Sequence, residues 1–339
     1  MPSPKPDKAK KPAFKLSPSM YHQLSALGTL LLLVFLFSFG NSAFLSVNNG
    51  LTILLQTAVI GLLGIGMTMV IITGGIDLSV GSVLALAGTV TGLSIKAGVP
   101  VYPAMAIGVA VGALCGFING FVITAMGITP FVATLGMMLI ARGVALQLTG
   151  AAPISQLGEA FGTLGNGALF RIVEKGDNGF PHVVFPGIPY PAILLLVIAL
   201  LAAYLLRRRA LGRHFYSVGS NEEASRLSGV NVFRTKIAAY TLSGALAGIA
   251  GMVLMSRLIT VQPNEGVMYE LDAIAAAVIG GASLMGGVGN ISGTMIGAFI
   301  IGVLRNGLNM AGTSSFIQQI VIGVVVILAV YIDQLRNRR

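Results

Sequence analysis

The 339-residue chain has no tryptophan, one cysteine and three histidines, and only 9% of its residues are charged. Its single thiol, Cys115, lies in an apolar run, so no disulfide can form within the chain. His22, His182 and His214 are scattered without ligand spacing, and none sits beside an acidic pair, so they offer no metal site. No Gly-x-x-x-x-Gly-Lys-Ser/Thr loop occurs, which excludes ATP binding by that device. A soluble domain carries about a quarter charged residues, and this chain falls far below that. With 55% hydrophobic residues and a mean hydropathy of +0.88, it reads as an integral membrane protein.

The little charge there is has a pattern. A net charge of +10 would suit nucleic acid, but the basic residues fall beside apolar runs, where membrane orientation needs them, and nucleic-acid binding is set aside. Residues 1–23, rich in Pro and Lys, read as a disordered cytoplasmic tail. A signal peptide is the competing reading of the basic start and the apolar run after it. Many further spans follow and no small-residue cleavage site does, so the run is kept as a first helix.

Cutting at polar, Gly/Pro and charged punctuation, with about 20 apolar residues per crossing, gives ten spans: 24–40, 51–73, 79–97, 102–126, 130–149, 190–206, 236–258, 271–288, 291–309 and 315–333. An all-α fold of about ten transmembrane helices, filling 24–333, is therefore expected. Alternating from a cytoplasmic start puts the tail, the 207–236 segment and the basic end at 334–339 on one side. Fifteen of the 21 Lys and Arg lie there, as the positive-inside rule asks. Both termini are expected in the cytoplasm, and 150–189 becomes an outer loop that partly re-enters or caps the mouth.

Residues 207–236 form a water-soluble island with nine of the chain's charged side chains. Ser220-Asn221-Glu222-Glu223 has capping-box spacing, with the Ser220 hydroxyl expected as cap and Glu223 reaching back. Gly229 is expected to end the helix in a left-handed conformation. A helix of about two turns is unstable alone, so the flanking spans must hold it. Such an element either passes a soluble partner's movement into the membrane or is a solvated connecting loop.

Glycine is abundant, and Gly108, Gly112, Gly116 and Gly120 form a stripe at spacing four, as do Gly244 with Gly248 and Gly293 with Gly297. Close helix packing inside one chain is the favoured reading. Two Gly-rich breaks echo each other: Ile72-Thr73-Gly74-Gly75 before Asp77, and Ile279-Gly280-Gly281 followed by Gly286-Gly287-Val288-Gly289. Breaks at corresponding positions point to duplicated transporter halves. Asp77 is read first as an N-cap of the next helix and second as a polar group lining a pathway. Thr129 and Pro130 open the fifth span, and Arg142, deeper in that span, must pair, snorkel or face water. Glu270 and Asp272 open the eighth span, where they favour the helix dipole.

These blocks carry a resemblance. Gly74 to Gly81, Thr129 to Gly136, Asn221-Glu222-Glu223-Ala224 with Ser228-Gly229-Val230-Asn231, Tyr269 to Ala276, and Asn306-Gly307-Leu308-Asn309 together resemble the membrane permease subunit of ribose-type ABC importers, over about residues 45–333. That resemblance implies an ABC importer permease fold in a bacterial inner membrane, with no cofactor of its own and no enzymatic centre. It also implies a second permease copy, expected to make a homodimer, cytoplasmic ABC ATPase subunits that bind and hydrolyse ATP, and a periplasmic sugar-binding protein. The 220–229 helix is then the coupling element, with Glu222, Glu223 and Arg226 making charged contacts to the ATPase.

A carbohydrate must keep its hydroxyls hydrogen-bonded on leaving water. Gln56, Asn306, Asn309 and Arg142 toward the outer half, and Asn119 toward the inner half, are the expected path-lining residues, each with a buried interhelical bond as its alternative. Without tryptophan, weak sugar contact and selection by the separate binding protein are expected. Two rival classes are weaker. An ion-coupled sugar carrier needs an acid well inside a span, whereas these acids sit at span ends. A membrane enzyme needs a nucleophile, base or metal cluster, and none converges.

Overall fold

The computed structural model describes residues 18–175 and 181–337. The basic tail up to residue 17, Asp177 and the terminal Arg338 and Arg339 lie outside them. The chain runs α1 (Pro18–Gly40), α2 (Val47–Ile72), α3 (Val80–Lys96), α4 (Val101–Ala125) and α5 (Pro130–Thr149), then a short α6 (Glu159–Asn166). Two small antiparallel pairs follow, β1 (Ala168–Leu169) with β4 (Ile188–Pro189) and β2 (Ile172–Lys175) with β3 (Pro181–Phe185). After them come α7 (Tyr190–Arg208), α8 (Ala210–Ser220), α9 (Glu222–Leu227), α10 (Val232–Leu258), α11 (Tyr269–Ile279), α12 (Ile291–Met310) and α13 (Ser315–Asn337).

Among the described residues, seven helices are long and apolar enough to cross a membrane, while Val80–Lys96 and Ser315–Val325 are shorter apolar stretches. An all-α multi-pass membrane protein is the result. The expected boundaries need three corrections. First, α1 begins at Pro18, inside the segment read as an unfolded tail. Second, the 271–288 span is not continuous: α11 ends at Ile279, because the chain turns through Gly281, Gly286 and Gly287, all at positive φ. Third, most of 207–236 is helical, as α8, α9 and the start of α10.

The core is built around α2. Every residue from Thr57 to Ile72 is buried, as suits a helix that is apolar on all sides. Against it packs α10, and against α10 packs α4, the two backbones meeting through the glycine stripe. A Cβ at Gly112 would overlap the Gly244 carbonyl, one at Gly116 the Tyr240 carbonyl, and one at Gly248 would lie 2.9 Å from the Val109 Cα. Gly293 and Gly297 let α12 approach α11 in the same way. These contacts are within one chain, as the spacing predicts. Outer surfaces of α1, α5 and α7 stay apolar and exposed, with Leu31, Phe39, Leu139, Ile140, Leu200 and Leu201 on them.

Within the 150–189 segment, α6 packs against the end of α10. Phe161 of α6 is fully buried. Asn166 donates to the Ser256 and Arg257 carbonyls at 3.2 and 3.1 Å, satisfying the free end of α10. The α8–α9 pair lies at the opposite end of α10.

Candidate functional site

The α8–α9 segment is where the exposed charge and the broken helices come together. Correcting the expected cap, Ser220 closes α8 and Asn221 caps α9, its side chain accepting the Ala224 N–H at 2.8 Å. The reason is backbone geometry: Asn221 is extended, with φ −160°, while Ser220 is still helical. Glu223 pairs with Arg226 instead of reaching back, and Glu222 accepts from Lys236 at 2.6 Å. Gly229, at φ +82°, ends the segment as expected. The outward side of α9 is a surface of Glu222, Glu223, Arg226 and Leu227, the last 80% exposed. Its inward side is tied to α8 through Ser225 and Ser217 at 2.5 Å.

The end of α8 is wedged against both Gly-rich breaks. A Cβ at Gly219 would overlap the Ile72 carbonyl, and Ser220 lies against Gly287. Gly287 N–H donates to that same Ile72 carbonyl at 2.9 Å, so the two breaks are also bonded to each other. Tyr216 donates its hydroxyl to the Gly289 carbonyl at 2.8 Å. Burial pushes the Tyr216 phenol above its ordinary value, with nearby Arg207 pulling the other way, so it stays protonated and remains a donor.

Asp77 sits in the first break, 1% exposed. It does not cap α3 directly, since that helix starts at Val80 after Ser79. Its carboxylate accepts the Ser79 N–H at 3.0 Å and hydroxyl at 2.6 Å, and the Ser243 hydroxyl of α10 at 2.9 Å. Asn119 donates to Ser79 at 2.9 Å, so Asn119 belongs to this buried interhelical cluster. Thr129 precedes α5 with Pro130 at its first turn, but its side chain makes no cap bond.

At the other end of the bundle the expected polar residues separate into two places. Gln56 and Asn309 line one cavity of about 240 Å³ together with Arg257, Tyr269, Asp272 and Arg305. Asp272 is buried and takes a bond from Arg305 at 2.6 Å, so it is an ion-pair partner beyond any role at the start of α11. Asn306 is buried and is not among the wall residues of this cavity, although Arg305 and Asn309 of the same helix are. Arg142 lies elsewhere, in a smaller cavity with Glu270 and Ser82, and donates to the Pro263 and Glu265 carbonyls at 2.5 and 2.8 Å. It fastens α5 to the 259–268 turn.

The family described as branched-chain amino acid transport system / permease component matches residues 49–330. The chain belongs to this permease family. The permease is 45% identical over 309 residues to the ribose import permease protein of Escherichia coli K12, covering 90% of this chain and 91% of that one. It is 44% identical over 308 residues to the ribose import permease protein of Bacillus subtilis 168, covering 91% of each. Identity to the xylose transport system permease protein of Escherichia coli K12 is 35% over 346 residues, covering 88% of each chain. No solved structure matches it.

Several residues of these sites in the permease escape a reading of the sequence. Tyr216, Ser243 and Arg257 carry no local signal, because their partners lie far along the chain. Arg305 did carry one. A lone base and a lone acid in neighbouring apolar segments must find each other or water, and Asp272 with Arg305 meets that condition.

Proposed function

We propose that the permease is the membrane subunit of an ABC importer that moves a monosaccharide inward across the bacterial inner membrane. Its partners are cytoplasmic ATPase subunits, a second permease copy and a periplasmic sugar-binding protein, and its two termini and the α8–α9 segment lie in the cytoplasm. ATP is hydrolysed by the ATPase, and the permease supplies the path and the coupling. The likeness to ribose and xylose permeases over nearly the whole chain supports the substrate class.

The contact of the α8 end with both Gly-rich breaks carries the mechanism. Glu222, Glu223 and Arg226 give an ATPase a charged, exposed surface, and Gly219, Ser220 and Tyr216 stand behind it against Ile72, Gly287 and Gly289. The backbone at the breaks lacks a helix's internal bonds and bends more easily than the spans on either side. A push on α9 is therefore delivered where the membrane domain yields most readily, opening or closing the inner end of the path. An ion-coupled carrier is disfavoured because Asp77 is enclosed by hydroxyl donors and has no cavity of its own among those described.

The test is ATP-driven uptake of labelled pentose by the complete importer in proteoliposomes. Gly219→Ala forces α8 away from Ile72, and Tyr216→Phe removes one bond. Uptake should fall about fivefold or more for Gly219→Ala, and less for Tyr216→Phe, while ATP hydrolysis continues. Uptake against a gradient without any ATPase, or unchanged uptake in both variants, would refute the mechanism.

A further inference from the structure

We infer that the cavity between α2, α10, α11, α12 and α13 is a sugar-binding site of the permease itself, taking one neutral pentose-like ring. This rests on the proposed function and adds to it, because discrimination then does not belong to the separate binding protein alone.

The first observation is composition. In a chain with so few charged residues, Arg257, Asp272 and Arg305 gather at one cavity, with the amides of Gln56 and Asn309 beside them. A buried ion pair adds little stability, since desolvation opposes the attraction. The Asp272–Arg305 pair is thus poorly explained as a fastening.

Unsatisfied polar atoms make the second observation. The Arg305 Nε, Asn306 Oδ1 and Thr57 Oγ1 are buried and bond to no described residue. Thr57 follows Gln56, and its hydroxyl lies against Gly302, another wall residue. Each such atom costs about 1–3 kcal/mol when left unpaired; Arg305 is itself a wall residue, while Thr57 and Asn306 adjoin wall residues along α2 and α12. A hydroxylated guest that draws the Arg305 side chain further into the cavity would give its Nε a partner and relieve that cost.

Size and chemistry then select the guest. At about 240 Å³ the cavity is below the roughly 300 Å³ at which drug-sized sites begin, and suits a single sugar ring. Sugar hydroxyls both donate and accept. The wall offers both partners, donors on the arginines and amides and acceptors on Asp272 and the amide oxygens. A phosphorylated sugar is bulkier than the single ring that a cavity of this volume suits. Tyr269 is the aromatic ring in the wall, so binding is weak and release is easy.

The test uses the permease–ATPase complex in nanodiscs without binding protein. Cys115→Ala removes the native thiol, and Gln318→Cys places a new one in the wall, where the native amide already bonds to the Thr313 carbonyl. The rate of aqueous maleimide labelling is read against D-ribose, ribose 5-phosphate and sucrose. D-Ribose should slow labelling saturably and several-fold, and the other two should not. Gln56→Ala should raise the half-protecting concentration. Arg305→Lys should abolish protection without a change in melting temperature.

A labelling rate independent of D-ribose, or equal protection by sucrose or the phosphate ester, overturns the site. Uptake by the complete importer is measured in parallel. Normal pentose uptake without protection defeats the site alone, whereas absence of any sugar uptake defeats the proposed function.

Discussion

Replacing Asp77 tests whether the first break is held by a fixed acceptor or carries a titrating acid. Asp77→Ala removes the acceptor of three buried donors, two from Ser79 and one from Ser243. At the membrane-protein average of about 0.6 kcal/mol per bond the loss is about 2 kcal/mol. At the roughly 1.5–3 kcal/mol of bonds to a charged group it is about 5–9 kcal/mol. Asp77→Asn keeps an oxygen for the Ser79 pair, and the Ser243 hydroxyl can turn to accept from the new amide, so about 1–2 kcal/mol is expected. Ser243→Ala removes one bond and should cost about 1 kcal/mol. At about 2–4 °C per kcal/mol for a chain of considerable size, Asp77→Ala should lose at least about 4 °C and Asp77→Asn about half that or less. Cys115 makes the assay clean. It is the one thiol in the chain and is buried in α4, so a thiol-reactive dye reports unfolding of this bundle alone. A melting temperature for Asp77→Ala within a degree or so of the parent, or Asp77→Asn less stable than Asp77→Ala, would refute the acceptor role. Intact folding of Asp77→Asn with lost, pH-insensitive uptake would favour the ion-coupled alternative.

Further outcomes follow from the same contacts. Gly112→Leu should prevent monodisperse purification, because the added side chain overlaps the α10 backbone, whereas Gly136→Leu, with nothing within 4 Å, should fold normally by size-exclusion chromatography. Glu222→Lys should leave the melting temperature nearly unchanged, since its pair with Lys236 is half exposed and worth at most about 1 kcal/mol, yet reduce co-purification of the ATPase. Arg142→Ala should cost about 1–3 kcal/mol and raise hydrogen exchange in the 259–268 turn, whose two carbonyls lose their donor.

What could be read from the sequence was what depends on local spacing. The Gly108 to Gly120 stripe predicts close packing because four-residue spacing lines up one helix face, and α10 is found against it. Gly229 marks a helix end because few other residues take positive φ cheaply. The eighth span was misjudged for the opposite reason. Hydropathy does not register that Gly280, Gly281, Gly286 and Gly287 interrupt an apolar run, although the same glycines echo the first break. Ser and Asn both suit the cap position, and only the backbone angles choose Asn221 over Ser220. The sites at the end of the bundle away from α8 were half legible. Gln56 and Asn309 lie about 250 residues apart in sequence yet share one cavity, and nothing in spacing says that Arg142 does not join them.

The bundle divides into stiff and soft parts along lines its glycines draw. Where glycines face another helix, as between α4 and α10, they bring backbones into contact and leave no side chain to rearrange, so the pair moves as one body. Where glycines stand at positive φ in the breaks, they free backbone groups from helical bonding, and those groups are held by a few single bonds: Gly287 to Ile72, Tyr216 to Gly289, and Ser79 to Asp77. Each such bond is worth about a kcal/mol, well within what ATP-driven closure of a partner supplies. The α8 wedge touches the soft part, while α10, which follows α9 directly, belongs to the stiff part and ends near Arg257 at the cavity lined by Gln56 and Asn309. The segment thus presses directly on the breaks beside it, whereas the cavity lies at the far end of a stiff 27-residue helix, about 40 Å away. Damage at Gly219 should therefore disturb the breaks and leave the cavity's walls in place, which is why loss of uptake and loss of sugar protection are separable.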